Sequence, residues 1–246
     1  STIVAMTAAN SAIASTTSGF GSLPNVDASN APILLPEATF GGSGIPNDTL
    51  SWKRFDLGNG DFLTMAMSAT RRFQNPALSN DGNGTYFATT GSNDGTPGSA
   101  SGLLGAKWNF NTYLNLETSN SNLLSDYDLD FFYDFDPGTD TADADLGQVD
   151  LSVALFGSGT FSEGSQNLLF GFLAVDVPFL QDAPDGPFNP NAVGEYTFKL
   201  RAGLVGGGGE ETLEINVNVV PVPGALPLLA TAFGIAALVK RRSTRA

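Results

Sequence analysis

The chain of 246 residues contains no cysteine and no histidine, and it has only 11 Lys and Arg residues against 25 Asp and Glu residues. Without cysteine there are no disulfides and no thiolate nucleophiles. Without histidine there is no Ser-His-Asp triad, and the usual zinc ligands are missing. The fold must therefore be stabilised by packing, and most hydrolase and metalloenzyme chemistries are excluded.

The charge of the chain is strongly asymmetric. Four of the eleven cationic residues lie in the last seven positions, namely Lys240, Arg241, Arg242 and Arg245. Residues 1–239 therefore hold 7 Lys and Arg against 25 Asp and Glu, a net charge of −18. A body this acidic repels phosphate backbones, so we expect no nucleic-acid partner, whereas divalent cations and basic partners are admissible.

The C-terminal segment is predicted to be a membrane anchor. Residues 222–239 form an uncharged run of 18 residues, which as a helix is about 27 Å long, against a hydrocarbon core about 30 Å thick. The basic cluster after it favours a cytoplasmic end, which places the preceding residues outside the cytoplasm. The alternative is a buried apolar helix with a frayed basic end.

The motif before this run resembles a known sorting signal. Residues 220–224 read Val220-Pro221-Val222-Pro223-Gly224, and Leu-Pro-Leu-Leu follows at 226–229. Motif, small-residue apolar run and basic cluster are together similar to the PEP-CTERM family, in its Val-Pro-Leu-Pro-Ala variant, with Val222 in place of Leu and Gly224 in place of Ala. The resemblance covers residues 220–246. It implies a membrane-embedded exosortase as partner, processing near the Pro motif, and delivery to the cell surface or extracellular polymer matrix.

The N-terminal segment leaves two interpretations open. Ala12-Ile13-Ala14 before Ser15 has the small-x-small pattern of a signal-peptidase site, so residues 1–14 fit the remnant of a signal peptide. A flexible Ala/Ser/Thr-rich N-terminus fits equally well. Residues 15–50 are predicted to be flexible.

The body between the two ends has the periodicity of β-strands. Apolar residues recur at every second position, between clusters of Gly, Asn, Asp and Pro. The predicted strands are 51–57, 62–70, 85–89, 108–117, 127–135, 149–156, 168–175, 195–201 and 212–219. Residues 51–220 are therefore predicted to form an all-β domain, an antiparallel β-sandwich or jelly roll, followed by one C-terminal transmembrane helix.

Three further features refine this architecture. Residues 168–175 are apolar on both faces, which predicts a central strand. The strand over 212–219 runs into the Pro motif, so the anchor is expected at the edge of a sheet. Residues 80–105 are rich in Gly, Asn and Ser and are expected to contain long loops. The Gly206–Gly209 run lacks the Lys and Ser/Thr of a phosphate-binding loop and predicts only a flexible hairpin connection.

An acidic stretch over 126–150 contains nine Asp residues and no Lys or Arg. Alternation in its first part predicts apolar side chains pointing inward at Tyr127, Leu129, Phe131, Tyr133 and Phe135. It predicts carboxylates on the other face at Asp126, Asp128, Asp130, Asp134 and Asp136. The favoured interpretation is a solvated outer face followed by a turn.

Calcium is the one cofactor that this stretch suggests. Asp136, Asp140, Asp143 and Asp145 supply hard oxygen ligands in a loop that contains Gly turns. Their spacing does not match an EF-hand loop.

The sequence favours a non-catalytic exported protein of the cell surface or extracellular matrix, anchored in the inner membrane or released to the surface after processing. One alternative is a carbohydrate-binding module, for which Trp52, Tyr86 and Tyr113 are the candidate stacking rings and an extracellular polysaccharide the candidate partner. Another is an accessory subunit of a membrane assembly that keeps its tail. A glycoside hydrolase with paired carboxylates is disfavoured, because it requires two of them facing each other across a cleft. No catalytic residues are assigned.

Overall fold

The fold is described from a computed structural model, which describes residues 16–58, 60–73, 77–93, 104–155, 157, 159–203 and 209–221. The strands are β1 (Thr16–Gly21), β2 (Leu50–Gly58), β3 (Asp61–Arg71), β4 (Ser79–Asn80), β5 (Thr85–Thr89), β6 (Ser92–Asn93), β7 (Gly105–Ala106), β8 (Trp108–Glu117), β9 (Asp128–Tyr133), β10 (Gly147–Asp150), β11 (Phe161–Gln166), β12 (Gln181–Asp182), β13 (Gly194–Gly203) and β14 (Glu210–Val220). Helical structure in these residues is limited to α1 (Leu151–Ala154) and three 3₁₀ turns, Leu124–Asp126, Asp143–Asp145 and Gly171–Ala174. The all-β prediction is confirmed.

The strands form two large sheets. The five-stranded sheet has the order β1-β2-β3-β8-β11, and the seven-stranded sheet has the order β12-β10-β9-β13-β14-β5-β4. All pairings within them are antiparallel except that of β14 with β5, which is parallel. A small third sheet joins β6 to β7.

The core lies between the two large sheets. Phe110 of β8 stacks on Phe131 of β9 and Phe198 of β13, with ring centroids 5.2 and 4.8 Å apart. Trp108 meets Phe198 edge to face. Such aromatic pairs contribute about 0.5–1.5 kcal/mol each beyond their burial. Aromatic side chains of β8, β9 and β13 are therefore the ones that join the two sheets.

The outer face of the five-stranded sheet is covered by residues 22–47, here called the N-terminal cover. A second apolar cluster forms beneath it, made of Ala38, Phe40, Leu50, Ala66 and Tyr113. The Tyr113 hydroxyl donates a hydrogen bond to the carbonyl of Pro36 over 2.9 Å. The prediction of a flexible segment over 15–50 is corrected, because residues 16–21 form β1 and part of the remainder packs on the sheet.

One predicted strand is too long, and another is wrong. The segment 149–156 is a strand only to Asp150, whose side chain then accepts a hydrogen bond from Val153 N and starts α1. The segment 168–175 contains a 3₁₀ turn instead of a central strand. Only Leu168 and Leu173 of this segment are fully buried.

The C-terminal anchor was expected at a sheet edge, but β14 lies inside the seven-stranded sheet. It pairs with β13 on one side and with β5 on the other. The predicted signal remnant at 1–14, the helix at 222–239 and the basic cluster lie outside the described residues. Within the described part of the chain, no helix has the length and apolar character needed to cross a membrane.

Candidate functional site

The Pro motif begins where the hydrogen-bonded part of β14 ends. Val220 is the last residue of the strand and is 41% exposed, and its carbonyl accepts a hydrogen bond from Thr90 N over 3.1 Å. Pro221 is exposed and no longer part of the strand. The remaining motif residues, Val222, Pro223 and Gly224, and the basic residues Lys240, Arg241, Arg242 and Arg245 lie outside the described residues.

The predicted open row of carboxylates along β9 is corrected at two positions. Asp130 and Asp134 are buried, whereas Asp126, Asp128 and Asp136 are exposed as expected. Arg201 of the adjacent β13 binds the Asp130 carboxylate through Nη2 at 2.5 Å and Nε at 3.2 Å. Gln148 donates a third hydrogen bond to Asp130 over 2.7 Å. These three bonds compensate for the loss of water around the buried carboxylate.

Asp134 is also buried. It takes part in none of the ion pairs found among the described residues. Its carboxylate accepts hydrogen bonds from the backbone of Asp136 at 2.7 Å and Thr197 at 3.5 Å. Burial raises the pKa of Asp134 above its ordinary value, because a charged carboxylate is poorly solvated there. Through these hydrogen bonds the Asp134 carboxylate connects the loop after β9 to β13.

The four aspartates of the predicted calcium loop are exposed and are not gathered into one site. Asp136 accepts a hydrogen bond from Gly138 N over 2.9 Å, and Asp143 pairs with Lys199 at 2.7 Å. Asp140 has a positive φ of 56° in the turn, and Asp145 ends a 3₁₀ turn. Among the described residues no group of three or more acidic side chains is placed to hold a metal ion.

The three aromatic rings considered for glycan stacking do not form an exposed platform. Tyr86 and Tyr113 are completely buried, and their hydroxyls donate to backbone carbonyls of Thr49 and Pro36. Trp52 is half-buried, and its ring lies so close to Gly19 that a Cβ there would be 2.5 Å from it. Packing accounts for all three rings.

An exposed aromatic site lies in the segment that was mispredicted as a strand and in the residues after it. Val177 and Gln181 form an isolated bridge, and Leu180 N donates to Val177 O over 3.0 Å, closing a tight turn. Pro178 and Phe179 are the two central residues of this turn. Phe179 has a φ of 64° and is 95% exposed.

Phe179 therefore occupies the place where turns of this shape ordinarily carry glycine. Proline followed by a residue of positive φ is the pattern of a type II turn. Placing a residue with a side chain at positive φ costs about 1–2 kcal/mol. A ring as exposed as that of Phe179 recovers almost none of this cost by burial.

We call residues 172–182 the Phe179 loop. It exposes further large apolar side chains, those of Phe172, Val175 and Val177. Beside it lies an open cleft of about 380 Å³. Its lining residues are Gln148, Asp150 and the segment Asp176–Asp182. Sequence reasoning missed this site because an apolar run predicts burial, and Pro178 was the one signal for a turn between Val177 and Leu180.

Comparisons with known proteins do not assign the chain to a family: no family model, no curated protein and no solved structure matches it. What the structure defines is an all-β protein whose two main sheets enclose a shared aromatic core.

Proposed function

We propose that the chain is an exported, non-catalytic protein of the cell surface or extracellular matrix, and that its C-terminal segment is a sorting signal. The observation that carries this proposal is the order of features after β14: Pro motif, uncharged run and basic cluster. In this proposal residues 222–239 form a membrane helix, and an exosortase-like membrane enzyme acts near Pro221.

The position of the motif relative to the fold supports processing. Every described strand ends at or before Val220, and Pro221 is already exposed. Cleavage after the motif therefore removes no strand of either large sheet and no residue of the aromatic core. The described strands all precede the expected cleavage position.

The roles of three acidic side chains, the buried Asp130 and Asp61 and the partly buried Glu163, support a non-catalytic protein. Asp130 is bound by Arg201 and Gln148, as described above. Asp61 accepts hydrogen bonds from Asn120, Asn122 and the Tyr127 hydroxyl, which joins β3 to the loop before β9. Glu163 binds the N-terminal cover. Each of these carboxylates holds two separate parts of the chain together.

The proposal is tested by intact mass and fractionation of the protein from its native host and from a strain without the exosortase-like enzyme. We expect loss of the residues after about Pro223 and recovery in the surface or matrix fraction only when the enzyme is present. The double variant Pro221→Ala/Pro223→Ala should remain uncut. Pro187→Ala, at an exposed proline away from the motif, should be processed normally.

An uncut chain in the membrane fraction of both strains contradicts the sorting proposal. That result favours the alternative in which the protein is a permanently anchored accessory subunit. Normal processing of the Pro221→Ala/Pro223→Ala variant also contradicts it, because the motif would then play no part in recognition.

A further inference from the structure

The Phe179 loop has a conformation that the packing of the described residues does not explain. Its turn places a phenylalanine at positive φ, where glycine avoids the steric cost. The ring is left almost fully exposed. Strained, exposed side chains of this kind are typical of binding sites, where a partner covers them.

The loop is also held in place before any partner arrives. The Gln181 side-chain amide donates to the carbonyls of Phe172 at 2.7 Å and Val175 at 2.9 Å. Asp176 accepts a hydrogen bond from Ala183 N over 2.9 Å. The pairing of β12 with β10 fixes the base of the loop. A preformed surface of this kind loses little conformational entropy on binding.

The cleft beside Phe179 offers negative charge and hydrogen-bond acceptors. Asp150, Asp176 and Asp182 line it, and none of the described residues that line it is Lys or Arg. The Gln181 amide uses both of its N–H groups on the loop carbonyls, and the Gln148 amide uses one of its two on Asp130. The electrostatic complement of this cleft is a cationic group with several N–H donors.

We propose that the Phe179 loop is a docking surface for a partner polypeptide segment in which an apolar residue is flanked by Lys or Arg. The apolar residue packs on Phe179, Phe172 and Val177. The flanking cation binds the carboxylates of the cleft, and Phe179 also offers its ring face to it. Charge complementarity selects this partner over a second copy of the chain, whose body carries the same excess of negative charge.

The proposal is tested by selecting phage-displayed random dodecapeptides on the immobilised full-length chain in detergent micelles. We expect enrichment of peptides with Lys or Arg next to an apolar residue. Phe179→Gly should weaken the selected peptides at least tenfold while leaving the urea midpoint unchanged or raised, because glycine relieves the turn. Asp182→Asn should weaken them severalfold at low salt, and less at high salt.

Phe73→Gly is the matched control. Phe73 is also an exposed phenylalanine at positive φ, with a φ of 56° and 49% exposure, but it lies on a different loop. Binding of the selected peptides should be unchanged in this variant. General attraction of basic peptides to an acidic protein would be equal in both variants, so the comparison isolates the Phe179 loop.

Three results overturn the proposal. The first is equal binding of the selected peptides to the wild type and to Phe179→Gly, and the second is no enrichment of basic-apolar peptides. The third is a Phe179-dependent interaction of another kind, seen as binding of neutral glucan oligosaccharides or as self-association in sedimentation. None of these results bears on processing at the Pro motif, so the docking surface and the sorting signal succeed or fail separately.

Discussion

The Glu163 carboxylate accepts hydrogen bonds from both the backbone N–H and the hydroxyl of Thr39, which precedes it by 124 residues. The same carboxylate accepts from Phe40 N at 2.8 Å and Gly41 N at 3.3 Å. One side chain of β11 therefore fixes the N-terminal cover across the outer face of the five-stranded sheet. Burial alone would raise the pKa of Glu163, but these hydrogen bonds hold the pKa below its ordinary value.

Replacing this carboxylate should loosen the cover. We expect Glu163→Gln to reduce the free energy of unfolding at pH 7 by about 1–2 kcal/mol, since an amide accepts these bonds less strongly than a charged group. Amide hydrogen exchange at Phe40 and Gly41 should accelerate.

Because the folded pKa of Glu163 is depressed, the stabilisation is present above the unfolded value, near 4.5. It is lost as pH falls through the folded value. The difference from wild type should therefore shrink in acid. Glu195→Gln, at a residue whose side chain makes none of these contacts, is the control; equal exchange rates in both variants would contradict the assignment.

Asp134 should show the opposite pH dependence. Its pKa is raised by burial, so the folded state binds this proton more tightly than the unfolded state does. The wild type should lose stability as pH rises through the folded pKa. In Asp134→Asn this loss should disappear, so urea titrations should show the stability of the variant rising relative to that of the wild type as pH increases above the ordinary carboxyl value of 3.8. A difference that stays constant with pH would show that the carboxyl is not the group responsible.

Asp130 and Arg201 should be energetically coupled. Asp130 is 4% exposed and loses a two-point ion pair when truncated, so Asp130→Ala should cost about 2–3 kcal/mol. In a double-mutant cycle with Arg201→Ala, the coupling should account for a large part of that cost. Asp143→Ala removes a pair whose carboxylate is 77% exposed and should cost less than about 1 kcal/mol. The coupling is excluded if the free-energy costs of Asp130→Ala and Arg201→Ala simply add in the double variant.

Gly194 should not tolerate a side chain. A Cβ at this position would lie 1.9 Å from the Pro137 carbonyl oxygen, which also accepts a hydrogen bond from Glu195 N. Gly194→Ala should therefore displace the loop after β9 and reduce the free energy of unfolding by about 1–3 kcal/mol. Gly171→Ala is the matched control, since a Cβ there meets nothing within 4 Å. Denaturant titration of the two variants compares them directly, and equal midpoints would contradict this prediction.

The tyrosines should ionise only when the protein unfolds. Burial raises the pKa of Tyr127 and of Tyr196 to about 12 each, from an ordinary value of 10.0. It also raises the pKa of the other three, Tyr86, Tyr113 and Tyr133. Because all five folded values are raised, their contribution to stability is complete below pH 10 and is lost as pH rises towards the folded values. Phenolate absorbance at 295 nm should therefore appear together with the loss of far-UV circular dichroism. A separate absorbance step at pH 10, before unfolding, would show a solvent-accessible tyrosine.

Local pattern predicted much of the sheet structure and little of its arrangement. The alternating segments 108–117, 195–201 and 212–219 are strands because one buried face is sufficient to define each of them. The run 168–175 is equally apolar, but an apolar run becomes a strand only where a neighbouring ladder is available. Here the Tyr133 hydroxyl donates a hydrogen bond to the Leu173 carbonyl, Leu173 is buried, and the run forms a 3₁₀ turn.

The errors at polar residues have a related cause. Asp130 was expected to face water because its charge predicts exposure, but its burial depends on Arg201, 71 residues further along the chain. The N-terminal cover depends in the same way on Glu163. Phe179 is at positive φ, a conformation that its residue type disfavours, so no propensity indicated it. Contacts between distant residues decide these cases, and a single sequence does not display them.

The position of β14 determines how the protein would respond to tension. If the chain were held through the residues after Pro221, force directed along β14 would act across its hydrogen bonds to β13 and β5. The two ladders are then loaded in shear, so that many bonds resist together. An edge strand peeled from one end would instead lose its bonds one by one. If the C-terminal segment anchors the protein as proposed, the body would therefore resist force applied along this strand.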